Sequence, residues 1–508
     1  MLILSIHSGH DASVCILNDG RLEKYFLVER FTKKKHDDDA KTVLKLVDII
    51  CRKYSIDVLC ISDLNPIQKD RFIPEIFEKC EISNPNVIPM MQSDHHLNHA
   101  SHAFYNSGFD KSLVVVADGS GSTIKGNLVE VESVFVFDKK ESTLIYKNII
   151  EKSSAVDFPW GGNHFGVGGL YDIAAVLIGN TPDDCGKAMG LSSYGRPNKL
   201  FENLFSQQKP NIKPIKKVSK DNYQLHADFC YEVQQQTQKV IGDLIEDSIQ
   251  KTGIKKVCIS GGYGMNIVAN YYYLQRFPDL DFYFEPVSND NGVCIGAAMN
   301  SYFQLTNQIP DPIQTTFYHG INYDTSSYEG DTISIKNVAN LLYQNKSVGV
   351  YRGLAEAGQR SLGNRSIFFN ALNKDAKEIV NRIKKREWYR PFACVVLEED
   401  ANIYFDMGKI KSSPYMTICF PVRKKYVKII PGVTHVDNTC RIQTVSGGYL
   451  YELLQEFKNL SGHGILLNTS FNLAGEPLVE TPVDAINTLN NSSLDYLWFE
   501  ETQQLLNR

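Results

Sequence analysis

The apolar positions of this chain change period along its length, and each change predicts an element. In "LILSIHSGHDASVCILNDGRLEKYFLVER", short branched apolar runs are cut by glycine turns, which predicts three paired strands. Apolar residues in "TVLKLVDIICRKYSI" step by three and four, predicting a helix, and "DVLCISDL" returns to strand. "SLVVVADGSGS" is a buried strand opening into a Gly/Ser loop, and "LVEVESVFVFDKKESTLIYKNII" alternates as a hairpin. A long amphipathic helix, "CYEVQQQTQKVIGDLIEDSIQKTGI", feeds a second strand–glycine-loop unit, "KKVCISGGYGMNIVAN". "FYFEPVSNDNGVCIGAAMNSYF" repeats the shape as strand, polar loop and small-residue helix. Three such units predict an α/β nucleotide fold.

Around 308–335 the chain turns polar and rich in turn residues, which places a domain boundary there: residues 1–330, then 331–508. The second part mixes helices ("KDAKEIVNRIKKRE", "GGYLYELLQEFKNL") with strands ("YMTICFPVRKKYVKII", "GILLN") and reads as α+β.

Composition narrows the class. A net charge of −5 over 508 residues gives no general pull toward nucleic acid or an anionic membrane. The 11 cysteines are scattered without a CxxC pair, which argues against a disulfide framework or a thiolate zinc site. No apolar stretch is long enough to span a bilayer, and the expected location is the cytoplasm.

The stretch "SDHHLNHASHAF" holds His95, His96, His99 and His102, four of the chain's 12 histidines. On a helix, His95 and His99 share a face one turn apart, and His102 extends that line. Two histidines so spaced clasp one metal ion, provided carboxylates arrive from elsewhere. Asp118 ends an apolar strand and Asp290 sits in a strand-end loop; such loops converge at the ligand crevice of α/β folds. A His/His/Asp/Asp set suits iron or manganese. The spacing alone is equally consistent with histidines that hydrogen-bond inside a polar helix.

Three loops, "HSGHDAS", "ADGSGS" and "ISGGYGMN", pair glycines with small polar residues after strands, as phosphate cradles do. None fits GxxxxGK[ST]. His10 and Asp11 lie in the first loop, and a histidine there is placed to take a proton from an attacking hydroxyl. A turn-stabilising pair is the plainer reading.

The second domain carries arginines among Gly, Asn and aromatic residues: "RSLGNRS", "IKKREWYRPFA", "TCRIQTV" and "NTSFNLAGEP". Arginine presents a planar fork to phosphate oxygens and Lys384 adds a point charge, so the set predicts an anionic, multiply charged substrate. Ser470 and Asn472 follow the strand "GILL" as donors.

Taken together these stretches resemble the O-carbamoyltransferases of the nodulation and antibiotic-tailoring class. The resemblance runs nearly end to end, through "GHDAS", "DHHLNHASHAF", "ADGSGS", "CGKAMGLSSYG", "SGGYGMN", "PVSNDNGVCIGAA", "GQRSLGNRSI", "KKREWYRPFA", "HVDNTCRIQTV" and "NTSFNLAGEPLVETPVDA". It implies an actin-like N-terminal domain, akin to the tRNA threonylcarbamoyl-transfer enzyme. Joined to it would be a smaller YrdC-like α+β domain, the threonylcarbamoyl-adenylate synthase fold. Carbamoyl phosphate and ATP (with Mg) would give carbamoyl adenylate and pyrophosphate in the C-terminal domain, and an acceptor hydroxyl would attack the adenylate in the N-terminal one.

Carried over by position, His95, His99, Asp118 and Asp290 match the metal ligands, usually of iron, while His10, with Asp11 beside it, matches the base. Gly119, Ser120, Lys187, Gly261, Gly262 and Asn266 fall to an N-terminal nucleotide site. Arg360, Arg365, Lys384, Arg386, Arg441, Ser470 and Asn472 fall to the carbamoyl phosphate and ATP site. The implied partners are a hydroxyl-bearing small-molecule or nucleotide acceptor and a second copy of the chain, with no membrane and no large nucleic acid. Gln359 and Ser361 stand where the family more often has Pro and Ala, and His102 is extra to the common motif, either behind the ligands or on the surface. A threonylcarbamoyl-type tRNA modifier and an actin-like-fold small-molecule kinase are the competing activities. Loops 62–80, 151–170 and 200–225 are candidates for shaping the acceptor pocket.

Overall fold

Parallel strands that lie between helices must be apolar on both faces, and the buried runs "LILSIH" and "KSLVVVA" meet that demand at the centre of two sheets. A computed structural model of the chain describes residues 1–62, 74–78, 86–89, 95–151, 166–178, 181–205, 222–313 and 317–508. It is a mixed α/β protein of two compact units: Met1–Thr32 with His36–Phe317, and Lys33–Lys35 with Tyr318–Arg508. The loops 62–80, 151–170 and 200–225 fall largely outside the described residues.

The first unit contains the same arrangement twice. In the first copy, β1 (Leu2–His7), β2 (Ser13–Asn18) and β3 (Arg21–Leu27) form an antiparallel meander. Helix α1 (Ala40–Cys51) then leads to β4 (Val58–Ser62), parallel to β1, and β5 (Asn86–Pro89), parallel to β4; helix α2 (His95–Ser107) follows. In the second copy, β6 (Lys111–Ala117), β7 (Leu128–Asp138) and β8 (Ser142–Glu151) are the meander. Helices α3 (Val167–Leu177), α4 (Cys185–Ser192) and α5 (Tyr223–Thr252) precede β9 (Lys256–Ser260); α6 (Ile267–Arg276) precedes β10 (Asp281–Phe284), and α7 (Val293–Thr306) closes the copy. β9 is parallel to both β6 and β10. Both sheets thus have the order third–second–first–fourth–fifth, with the same strand senses.

The duplication puts the carboxyl ends of β6, β9 and β10 beside the N-termini of α2 and α7. Those two helices pack so closely that a Cβ on Gly296 would lie 1.9 Å from the Asn98 carbonyl oxygen. The long helix α5 is bounded as its sequence suggests: Asn222 accepts from Leu225 N, and Gly253 ends it at φ +69°.

The second unit is a nine-stranded mixed sheet, with Val348–Tyr351, Arg365–Asn370, Ile465–Ser470, Ala393–Leu397 and Thr439–Val445 adjacent at its middle. Apolar residues alternate between two cores. One face packs Val348, Val350, Phe368 and Leu466 under the helices Ile335–Tyr343 and Gly448–Ser461; the other packs Tyr351, Ile367, Leu497 and Phe499 with Ala485 and Leu489 of Pro482–Asn490. The stretch "YMTICFPVRKKYVKII" departs from its expected strand character. Only Cys419–Pro421 is strand and the rest is turns, because its basic residues face solvent instead of alternating against a core. Among the described cysteines nine are free, while Cys51 is disulfide-bonded, a crosslink of which the scattered spacing gave no sign.

Candidate active site

Four metal-type donors from three separate stretches meet in the first unit. His95 and His99, one turn apart on α2, turn their rings toward each other, and their Nε2 atoms are 3.1 Å apart. Asp118, directly after β6, brings Oδ2 to 3.1 Å from His95 Nε2; Asp290, in the short turn before α7, brings Oδ1 to 3.4 Å from His99 Nε2. One ligand atom from each of the four lies within 4.8 Å of all the others.

The backbone around Asp118 aims it. Its Oδ1 accepts from Gly119 N at 2.9 Å and Gly262 N at 3.2 Å, which leaves Oδ2 facing the histidines. Gly261, at φ +83°, permits this: a Cβ there would stand 2.3 Å from the Ala117 carbonyl oxygen, so only glycine lets the β9 loop lie against the end of β6. Burial raises the Asp118 and Asp290 carboxyls, yet His95 and His99 outweigh it and hold both ionised, Asp290 well below the usual carboxylate range. Two imidazole nitrogens and two carboxylate oxygens that converge on one point, with lone pairs inward, fit a divalent cation.

The other two histidines of the helix do not join them. His96 is fully buried, its Nδ1 2.8 Å from Ser133 Oγ, and His102 is fully buried with Nε2 3.7 Å from Glu285 Oε1, so His102 is not a surface residue. Burial is the main force on both rings and pushes His96 down to about 4 and His102 to about 3. Both therefore stay neutral in the fold where an unfolded histidine, with its ordinary value of 6.5, takes up a proton. The unfolded chain then binds more protons below that value, so this contribution to stability is complete above pH 6.5 and is lost as pH falls toward 4. Each ring contributes a slope of up to about 1.4 kcal/mol per pH unit. The expected result is a thermal midpoint that drops on acidification from pH 6.5, with a shallower drop in His102→Gln; equal slopes in the two proteins would refute it.

His10 lies in the loop after β1 with half of its side chain in solvent. Its Nε2 is 3.1 Å from Asp183 Oδ1 and its Nδ1 is 3.5 Å from Asp11 Oδ2. Burial works against the imidazolium, but Asp183, Asp11 and Asp290 overcome it and raise His10 to about 10. Asp11 is buried, at φ +63°; its Oδ1 is 2.8 Å from His36 Nδ1, its Oδ2 accepts from Asn289 Nδ2 at 3.0 Å and its carbonyl from Asn291 Nδ2 at 3.1 Å. The first loop is thereby tied to both neighbours of Asp290.

The other expected N-terminal nucleotide residues are arranged unevenly. Gly119, Ser120 and Gly262 line the part-open edge beside Asp118, and Lys187 pairs with Asp184 at 3.1 Å. Asn266 does not face a ligand. Its Oδ1 caps α6 through Ala269 N at 3.0 Å, and its Nδ2 donates to Tyr171 Oη at 3.1 Å and Gln234 Oε1 at 3.2 Å, so its amide is consumed inside the fold. Sequence reasoning missed Asp172, which accepts from Cys185 Sγ at 3.1 Å and, through burial above all, is raised to about 7. Only its position in "GGLYD", behind an unremarkable glycine pair, could have marked it.

In the second unit the cations gather. Lys384 is buried; its Nζ donates to the Ser470 carbonyl, to Ser470 Oγ at 2.9 Å and to Asn472 Oδ1 at 2.6 Å, which brings these three expected residues together. Arg386 donates from Nε to Asn381 Oδ1 at 2.7 Å and lies 4.1 Å over the Phe392 ring. Arg360, Arg386 and Arg441 are each held below the usual guanidinium range by burial first. Neighbouring charges then act: Arg441 and Arg390 on Arg360, Arg390 and Arg441 on Arg386, and Arg390 on Arg441. Arg390, from the quoted "REWYRPFA", belongs to this group although the motif reading did not single it out. Among the described residues no carboxylate lies within ion-pair distance of Arg386 or Arg441, and Arg441 Nε has no hydrogen-bond partner. Arg390 pairs with Glu387 at 3.4 Å, whereas part-buried cations such as Arg386 and Arg441 that lack such a partner are costly, and an anion relieves that cost.

Arg365 departs from the expectation. It is fully buried, donates to the carbonyls of Arg352 at 2.6 Å and Gly353 at 2.9 Å, and lies 3.6 Å over the Tyr351 ring. Its two terminal nitrogens donate to backbone carbonyls, so it holds the loop 352–364 to the sheet, although its Nε has no hydrogen-bond partner.

With this geometry in view, comparison with known proteins gives a consistent result. A family model described as carbamoyltransferase C-terminus matches residues 339–505, and one described as carbamoyltransferase N-terminus matches residues 65–250 and 215–299. Nodulation protein NolO of Bradyrhizobium diazoefficiens is 30% identical over 443 residues, 80% of this chain and 77% of that protein. Nodulation protein NolNO of Sinorhizobium fredii is 30% identical over 445 residues, covering 79% of this chain but only 62% of its own length. Nodulation protein U of Rhizobium tropici is 33% identical over 253 residues, 48% of this chain and 43% of that protein. Among solved structures, T. kodakarensis HypF aligns at TM-score 0.42 and 14% identity over 60% of this chain and 48% of that one, a likeness too weak to build on.

Proposed function

The chain belongs to the carbamoyltransferase family, and from that premise we propose that it is an ATP-dependent O-carbamoyltransferase working in two half-reactions. In the second, YrdC-like unit, carbamoyl phosphate and MgATP give carbamoyl adenylate and pyrophosphate. In the first, actin-like unit, the carbamoyl group passes to the hydroxyl of a small-molecule or nucleotide acceptor, and AMP leaves. The observation that carries this reading is the convergence of His95, His99, Asp118 and Asp290 beside His10. A small-molecule kinase of the actin-like fold would not need that set.

A divalent metal held by those four residues would act as a Lewis acid toward an oxygen of the bound adenylate. The chain's own groups do the rest. Gly119 and Gly262 N–H serve Asp118 Oδ1, so the adenylate phosphate would be met by other N–H groups of the glycine loops. The proton of the attacking hydroxyl goes to His10. In the isolated fold the carboxylates around His10 keep it protonated, so it serves as a base only where cationic charge nearby offsets them, which ties its role to the occupancy of the metal site. Arg360, Arg386, Arg390 and Arg441 would neutralise the triphosphate and carbamoyl phosphate as the adenylate forms, an electrostatic task for which a cluster of neighbouring arginines is preorganised.

Metal removal separates the two halves. Protein stripped by a chelator and returned to magnesium alone is expected to keep carbamoyl-phosphate-dependent pyrophosphate release and to lose transfer, which iron(II) or manganese(II) restores. Undiminished transfer by the magnesium-only protein would rule out the proposed role of the four residues.

A further inference from the structure

A second set of metal-type donors shares no residue with the first. His10, Asp11 and His36 each offer a ligand atom within 4.8 Å of the others. His36 Nδ1 is 2.8 Å from Asp11 Oδ1, and His10 Nδ1 is 3.5 Å from Asp11 Oδ2. The two imidazoles stack with centroids 4.9 Å apart and planes 9° apart, so both Nδ1 atoms reach the same carboxylate.

Surrounding contacts hold these donors as a metal site would require. The ring nitrogen of His10 turned away from Asp11, Nε2, is 3.1 Å from Asp183 Oδ1. A histidine that ligates through one nitrogen typically gives its other N–H to a carboxylate, which fixes the ring's tautomer and orientation. Asn289 and Asn291 fix Asp11 from the opposite side, through its Oδ2 and its carbonyl.

We propose that His10, Asp11 and His36 form a second divalent-cation site, separate from the four-residue centre, selective for a borderline transition ion such as zinc. Two imidazoles and one carboxylate suit zinc, nickel or iron and offer little to magnesium or calcium. On binding, the ion replaces the protons that now link both rings to Asp11, and those protons pass to solvent. Because half of the His10 side chain is open, the ion exchanges with solvent, and water completes its coordination. With three ligands and an open side, this site binds more weakly than the buried centre. An ion here also occupies His10, so excess zinc inhibits carbamoyl transfer. That consequence rests on the role of His10 above; the binding claim does not.

Equilibrium dialysis of the metal-stripped full chain against zinc tests the site without reference to activity. Wild type is expected to bind two equivalents, a tight one and a weaker one. His36→Ala and the gentler His36→Gln lose the weaker equivalent and keep the tight one, which also reports that they are folded. His99→Ala loses the tight equivalent and keeps the weaker. A single equivalent in wild type would overturn the proposal. So would two equivalents in both His36 variants, or loss of the tight equivalent in them, which would make His36 a prop for the four-residue centre.

Discussion

His95→Ala should lose carbamoyl transfer by roughly 10²–10³-fold, the scale of removing one electrostatic contact to developing charge, while pyrophosphate release from ATP and carbamoyl phosphate continues. His95 is the hub of its cluster: its Nε2 is 3.1 Å from both His99 Nε2 and Asp118 Oδ2, and 3.6 Å from Asp290 Oδ1. Without it the buried Asp118 and part-buried Asp290 carboxylates face each other with only His99 between them, and like charges so close drive one toward protonation. A protonated carboxyl is a poor ligand, so the loss extends beyond the missing nitrogen. Metal content should fall together with transfer, and that pairing distinguishes a ligand from a merely structural histidine. Parallel loss of pyrophosphate release would show instead that the variant is broadly misfolded or that the half-reactions are not separable.

Arg441→Ala should behave in the opposite way, abolishing pyrophosphate release by about 10³-fold on the same electrostatic scale. It should cost little stability, or even raise the thermal midpoint. Arg441 has an unpartnered Nε and like-charged neighbours, and burial with Arg390 brings it down to about 10. Removing such a charge relieves repulsion in the folded state, as expected where stability is traded for a preorganised site. Arg365→Ala is the internal contrast. Its guanidinium satisfies buried carbonyls, so its removal leaves those acceptors unpaired and destabilises the unit. An Arg441→Ala protein that melts well below wild type would place Arg441 with Arg365, as part of the frame.

The elements were legible where local pattern and environment agree. "SLVVVA" reads as a buried strand, and the periodic run from Cys230 reads as a long helix, which the structure begins earlier, at Tyr223 after the cap Asn222. The metal-type quartet was legible because two histidines one turn apart demand outside carboxylates, and strand-end loops are where an α/β fold supplies them. What escaped depends on three-dimensional neighbours. The duplication of the first unit lives in strand order and sense, which two copies with unrelated residues do not display along the chain. Asn266 looked like part of a phosphate loop; its side chain is drawn inward because a helix begins there and needs a cap. Arg365 and Arg441 look alike in the sequence, and only the carbonyls around one and the cations around the other separate a structural arginine from one proposed to meet substrate.

The most direct test of the account is the phosphate product that wild type releases from ATP when carbamoyl phosphate is supplied. The expected products are pyrophosphate, formed only when carbamoyl phosphate is present, and AMP once an acceptor is added. ADP and inorganic phosphate in their place would contradict the adenylate route and make the chain a phosphate-transferring enzyme.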